Sequence, residues 1–102
     1  MLYKSLKTTT VYKRALMDRR LLSKILSDKN YQPSKDTAIA LCFALHLSLN
    51  QAVDLLNRAG YALSHSILRD IIIVYFLKNY IYDLNKINSF LYSMNEKIIG
   101  KY

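Results

Sequence analysis

The chain has few of the residues that cross-link small proteins or interrupt their helices: one cysteine, one proline and two glycines among 102 residues. The single cysteine, Cys42, allows no internal disulfide, whereas small secreted domains usually depend on several. The scarcity of proline and glycine, and the absence of Asn-Gly and Asp-Gly pairs, disfavour a fold built from hairpin turns. We therefore predict an all-α protein in a reducing compartment, the cytoplasm.

Long apolar runs are also missing. One of the longest, Ile71 to Leu77, has seven residues, whereas a membrane span requires about 20. The segment Met1 to Thr10 contains lysines but no apolar run of signal-peptide length. With 52% hydrophobic residues, the chain can build one core and is too apolar to be disordered. We expect a single domain, residues 1–102, with no membrane partner.

Acidic residues are scarce where basic residues are dense. The chain carries 15 lysines and arginines against seven acidic residues, a net charge of +8. Residues 1–35 hold nine of the basic residues and two of the acidic ones, whereas residues 36–102 hold six and five. This concentration predicts an electropositive face that binds a polyanion, most commonly nucleic acid. A solvated basic surface without a ligand is the alternative.

Caps and apolar spacing divide the chain into a compact bundle of about five to six short helices. The first helix runs from about Thr9 to Leu16, with the threonines as candidate N-caps. The second runs from Arg19 to Ser27 behind the N-cap Asp18. Its buried stripe is predicted to consist of Leu22, Ile25 and Leu26. The side chains predicted to face outward are Arg19, Arg20, Ser23 and Lys24.

A loop over Lys29 to Pro33 separates this pair from a helix that begins at Ser34, because proline forces the preceding residue out of helical geometry. Apolar positions cover more than half of the circumference of this third helix. It is therefore predicted to be central, with Cys42 in the core.

The later helices have clear boundary signals. Ser48 and Gln51 form a capping box, and that helix stops at Gly60, which accepts a left-handed conformation. A further helix is predicted from near Ser66 to about Asn79, and Asp83 caps the last one. In this last helix, the apolar residues at helical spacing are Leu84, Ile87, Phe90, Leu91 and Met94.

Residues Thr10 to Ser27 have the layout of a helix-turn-helix, in which a second helix of about 11 residues enters the major groove of DNA. Arginine side chains at its start can pair with the O6 and N7 atoms of guanine. The candidate base-reading residues are Arg19, Arg20 and Lys24. The candidate contacts to the DNA backbone are Thr10, Lys13, Arg14, Ser23, Lys29, Asn30 and Lys35.

The chain resembles the Cro and XRE-type helix-turn-helix family of bacterial and phage regulators, in a Firmicutes- or phage-like subgroup. The matching sequence segments are VYKRA at 11–15, DRRLLSKI at 18–25, YQPS at 31–34, TAIAL at 37–41 and GYALS at 60–64. The resemblance implies that Asp18 to Ser27 is the recognition helix of a homodimeric transcriptional regulator that binds double-stranded DNA. It divides the chain into a motif-bearing half, 1–60, and helices within 61–102 that complete the core or dimerise.

Two features depart from the family pattern. The family has a full helix ahead of the motif, where this chain offers only Met1 to Lys7. A glycine or asparagine is usual in the turn, because a left-handed conformation is needed there, and this chain has Leu16. Either the leucine adopts that conformation, with a strain of about 1–2 kcal/mol, or the turn differs and the base-reading geometry with it.

No catalytic constellation is visible. His46 and His65 are nineteen residues apart and have no cysteine or carboxylate at metal-ligand spacing. Gly60 and Gly100 are isolated and form no phosphate-binding loop. We expect no enzymatic activity, no metal and no cofactor.

A second hypothesis is a small protein-binding adaptor, or a phage or mobile-element inhibitor, on a truncated helix-turn-helix scaffold. Its partner would be a nucleic-acid enzyme or a nucleoprotein. Exposed tyrosines would mark such an interface, because tyrosine is enriched at protein–protein contacts. The candidates in the C-terminal part are Tyr75, Tyr80, Tyr82 and Tyr92.

Overall fold

Six α-helices and no strand make up residues 7–100, the part of the chain that the computed structural model describes. The helices are α1 (Thr8–Arg14), α2 (Arg19–Ser27), α3 (Lys35–Ala44), α4 (Leu49–Arg58), α5 (Leu68–Lys78) and α6 (Leu84–Ser93). The predicted all-α class is confirmed. None of these helices is long and apolar enough to cross a membrane. The predictions for residues 1–6 and 101–102 lie outside the described residues.

Side-chain caps begin four helices at the predicted residues. Each of the four N-cap oxygens accepts a hydrogen bond from an N–H group of the first turn, which satisfies a donor that the helix leaves free. The capping box is complete, since Ser48 Oγ accepts from the Gln51 N–H at 3.2 Å and Gln51 Oε1 accepts from the Ser48 N–H at 3.0 Å. The four capping residues are Asp18, Ser34, Ser48 and Asp83.

The other two helices begin at residues that differ from the prediction. α1 starts at Thr8, and its N-cap, Lys7, makes no side-chain hydrogen bond, so the predicted threonine cap is wrong. α5 starts at Leu68 rather than near Ser66. The Ser66 N–H donates to Ser64 Oγ at 3.1 Å, and this local turn delays the helix by two residues.

Five of the six helices end with the same backbone turn. A residue with positive φ follows the C-cap, and the N–H of the next residue bonds the carbonyl five positions back, as in a Schellman motif. After α1, for example, the Met17 N–H donates to the Tyr12 carbonyl at 3.0 Å. The left-handed residues are Leu16, His46, Gly60, Tyr80 and Asn95. The predicted stop at Gly60 is confirmed, but the other four turns carry no glycine.

The core is built around α3. Seven of its ten residues are buried, and Ile39 and Phe43 have no exposed surface. α1 and α4 pack against α3, α5 packs against α4, and α6 packs against α5. The prediction of a central third helix is therefore confirmed. The same hydrophobic cluster extends from Val11 in α1 to Ile99 near the C-terminus.

One predicted core residue lies on the surface. Leu26 is 69% exposed, whereas Leu22, one turn earlier in α2, is 3% exposed. The main contact of α2 is with α1, and Ile25, which neighbours Leu26 in the last turn of α2, is half-buried against the core. The prediction was wrong because spacing identifies one face of a helix but does not show which positions of that face its neighbours cover.

The thiol of Cys42 is enclosed by the core, as predicted, and has no exposed surface. Burial raises its pKa to about 12, so the reactive thiolate is scarce at neutral pH. We expect no modification of the native protein by a thiol reagent at about pH 8, and complete modification in denaturant. Rapid stoichiometric labelling without denaturant would contradict this burial.

Candidate nucleic-acid interface

α2 presents a polar, basic side to solvent. Leu22 anchors the helix to the core, and Leu21 and Ile25 are half-buried beside it. These three positions fix the rotation of the helix, so the opposite side points away from the protein. The four residues predicted to face outward, Arg19, Arg20, Ser23 and Lys24, are all exposed.

The turn between α1 and α2 adopts the left-handed conformation despite its leucine. Leu16 has a φ of 54°, which costs a non-glycine residue about 1–2 kcal/mol. Hydrogen bonds compensate: the Leu16 N–H donates to the Lys13 carbonyl at 3.2 Å, and the Met17 N–H closes the motif. Of the two alternatives for this turn, a strained leucine is therefore the one that occurs.

The last turn of α1 carries two further basic side chains, Lys13 and Arg14, and both are exposed. Arg14 Nη1 donates to the Ala44 carbonyl at 3.2 Å, which ties the end of α1 to the end of α3. Cations are favourable at this end of a helix because the free carbonyl groups carry partial negative charge. Thr10, earlier in α1, is half-buried.

The loop after α2 is held by local hydrogen bonds. Asp28 Oδ1 accepts from the Asn30 N–H at 2.9 Å, and Lys29 and Asn30 are exposed. The Lys24 ammonium lies 5.0 Å from the centre of the Tyr31 ring, within the range of a cation–π interaction. Tyr31 was not among the predicted site residues. The available signal was an aromatic residue four positions after the end of a basic helix.

Lys35 is separated from the other candidates. Its ammonium contacts Asp70 Oδ2 at 2.9 Å, and the Asp70 side chain is only 3% exposed. The same oxygen accepts the Ser64 N–H at 2.9 Å. Lys35 therefore neutralises a buried carboxylate of α5, and we assign it this structural role. Sequence spacing could not reveal the pair, because 35 residues separate its members.

The basic side chains of residues 7–34 have no acidic partners among the described residues. Every ion pair in residues 7–100 uses residues from Lys35 onward. The two aspartates of the first third, Asp18 and Asp28, accept backbone hydrogen bonds instead. Seven exposed cations are left without a carboxylate partner: Lys7, Lys13, Arg14, Arg19, Arg20, Lys24 and Lys29.

Arg19 and Arg20 place two positive side chains in the first turn of α2, where the free N–H groups of the helix carry partial positive charge. The N-cap Asp18 supplies one carboxylate at this end, and the turn itself contains no acidic residue. An anion at this end would interact favourably with both arginines and with the helix. The arrangement is suited to binding a phosphate-rich ligand.

His46 provides a titratable probe close to α1. Its ring stacks on Tyr82, with centroids 4.5 Å apart. Burial, followed by the positive charge of Arg14, lowers the pKa of His46 below its usual 6.5. We expect an NMR titration midpoint below 6.5, which Arg14→Ala should raise.

This pKa shift also predicts how stability changes with pH. Between the folded pKa of His46 and 6.5, the unfolded chain binds more protons than the folded one. The His46 contribution should therefore be constant above about pH 6.5 and should fall as the pH drops from there towards the folded pKa. Urea denaturation of the wild-type protein and of His46→Asn at two pH values measures this contribution to stability. An equal pH dependence for both proteins would contradict the shift.

A scan against protein-family models gave no match, and searches of curated proteins and of solved structures found none that matches the chain. The geometry described above therefore carries the functional interpretation.

Proposed function

We propose that the protein is a sequence-specific, double-stranded DNA-binding transcriptional regulator in which α1, the turn at Leu16 and α2 form a helix-turn-helix. One observation carries this proposal: the seven basic side chains of residues 7–34 are exposed and make no ion pair within the described part of the chain. Four of the six basic residues between 35 and 100 are instead paired with carboxylates. A polyanion binds best to unpaired cations, because no salt bridge has to be broken.

In this proposal α2 lies in the major groove. Arg19 and Arg20 read base edges, and Lys24 reaches a base while the Tyr31 ring supports its ammonium. Phosphate contacts fix the register of the helix on the duplex without carrying sequence information. Residues assigned to these contacts are Thr10, Lys13, Arg14, Ser23, Lys29 and Asn30. Catalysis, a metal and a cofactor have no part in this mechanism, and the protein acts in the cytoplasm.

We further propose that the regulator is a homodimer, since a two-fold protein matches two half-sites about one helical turn apart. An exposed apolar row on α5 supports this arrangement: Leu68, Ile71 and Tyr75 are 45%, 44% and 58% exposed, at three- and four-residue spacing. In sedimentation measurements, the wild-type protein should be a dimer and Ile71→Lys a folded monomer. A wild-type monomer at all concentrations would rule the dimer out.

Affinity selection from a randomised duplex pool at two salt concentrations tests the main proposal. We expect an enriched motif with two half-sites. The logarithm of affinity should fall by about 0.9 per phosphate contact for each unit of log salt concentration. Salt-dependent binding without any enriched motif would contradict sequence-specific recognition.

The exposed tyrosines favour a second candidate function, a protein-binding adaptor or a phage or mobile-element inhibitor that acts on a nucleic-acid enzyme or nucleoprotein. Tyr75, Tyr80 and Tyr92 are 58%, 70% and 78% exposed, whereas Tyr82 is half-buried. Affinity capture from a nuclease-treated lysate should then retain a stoichiometric partner that Tyr75→Ser releases. Failure to retain any such partner would count against this function.

A further inference from the structure

The C-terminal segment returns to the core after α6 and is fixed there by one side chain. Asn88 Oδ1 accepts the Ile99 N–H at 2.8 Å, and Asn88 Nδ2 donates to the Ile99 carbonyl at 2.6 Å. Both backbone polar groups of Ile99 are thus satisfied, and its side chain has no exposed surface. A segment held in this way has a defined position.

A second attachment lies two residues earlier, at Lys97. Its carbonyl accepts from Arg69 Nε at 2.8 Å, and its ammonium lies 3.7 Å from Asp36 Oδ2. Arg69 also pairs with both carboxylate oxygens of Asp36, at 2.9 and 3.2 Å. The segment is therefore joined to the first turns of α3 and α5 as well as to α6.

The end of this segment meets the turn that precedes α2. An ideal Cβ placed on Gly100 would lie 3.0 Å from Leu16 Cβ, 3.4 Å from its Cδ1 and 3.6 Å from its carbonyl oxygen. Gly100 has a φ of 105°, so glycine suits this position for both its backbone conformation and its lack of a side chain. The glycine backbone thus packs directly on the one strained residue of the α1–α2 turn.

We propose that residues 97–100 form a positioning element for α2: the segment packs against Leu16, holds it in its left-handed conformation and thereby fixes the orientation of α2 relative to α1. The turn is where these two helices are joined, and a strained residue persists only where its surroundings fix it. The effect on the turn is independent of DNA binding, whereas the consequence for base reading rests on the proposed function.

Gly100→Ala is the test, and Gly60→Ala is its matched control. Both replace a left-handed glycine and carry the same kind of backbone strain. The control adds no close contact, because only Gln32 Nε2, at 3.9 Å, lies near its added Cβ. In Gly100→Ala, we expect the hydrogen exchange of the Leu16 and Met17 amides to accelerate about tenfold relative to core amides of α3. Gly60→Ala should leave that ratio unchanged.

Asn88→Ala gives an independent check, because it releases Ile99 while leaving Gly100 intact. Asn88→Ala should selectively accelerate the hydrogen exchange of the Leu16 and Met17 amides. If both variants change exchange only uniformly, as global unfolding does, the segment merely fills the core and the proposal is wrong.

A DNA-binding measurement distinguishes a failure of this inference from a failure of the proposed function. With a duplex motif selected by the wild-type protein, Gly100→Ala should lose sequence preference by about tenfold more than Gly60→Ala. An equal loss in the two variants would contradict the positioning of α2. If the wild-type protein selects no motif, the proposed function fails, while the exchange measurements still decide whether the segment holds the turn.

Discussion

Replacing Arg19 and Arg20 together by alanine should abolish preference for the selected DNA motif and leave the fold intact. Each bidentate arginine–guanine contact contributes about 1–3 kcal/mol of discrimination, so the double variant should lose about 30-fold or more in specificity. Both side chains are exposed, and neither forms an ion pair in the described part of the chain. Removing two cations from the positive end of α2 should leave the unfolding midpoint equal or slightly higher.

Competition binding against the motif and a scrambled duplex, together with urea denaturation, measures both quantities. Arg58→Ala is the matched control, because this exposed arginine lies on α4 and pairs with Asp54 at 3.1 Å. It should leave specificity unchanged. If the double variant discriminates as well as Arg58→Ala does, α2 is not the base-reading helix.

Replacing Arg69 by alanine should be among the most destabilising changes on the polar surface of this protein. The Arg69 and Asp36 side chains are only 14% and 19% exposed. The substitution leaves the Asp36 carboxylate with Lys97, at 3.7 Å, and removes the donor to the Lys97 carbonyl. Breaking such a pair costs about 2–3 kcal/mol. For a domain of this size, the melting temperature should fall by about 10 °C or more.

Arg58→Ala again provides the comparison, now for stability. The Arg58 and Asp54 side chains are 81% and 63% exposed, and a pair of this kind contributes less than about 0.5 kcal/mol. Calorimetry or thermal denaturation at matched pH and salt distinguishes the two variants. Equal melting temperatures would show that the contacts of Arg69 with Asp36 and Lys97 do not stabilise the fold.

The proposed function depends on two properties of residues 7–34. One is set by the local sequence and the other by the fold. The high density of lysine and arginine is a property of the sequence. That these cations have no acidic partners follows from the fold, because the acidic residues of the later helices are bonded to Lys35, Arg58, Arg69 and Lys97. Lys35 shows the difference: counted with the basic cluster by position, it is bound to α5 in the structure.

Local sequence by itself determined the helices and most of their boundaries. Asp18, Ser34, Ser48 and Asp83 were predicted as caps or starts because a cap contacts N–H groups only two or three residues away. Gly60 was equally clear, since the cost of a left-handed conformation is a property of the residue. The outward side of α2 followed from the spacing of its apolar residues.

Only the tertiary structure decided which apolar residues are covered and which turns are strained. Leu26 is exposed although Leu22 and Ile25 of the same stripe pack in or against the core, and no local pattern records which positions a partner covers. Leu16 occupies a conformation that its residue type disfavours, and the residue packed on it, Gly100, is 84 positions away in the chain. Contacts between distant segments outweigh local preferences of about 1–2 kcal/mol, and a local pattern does not show which distant segments meet.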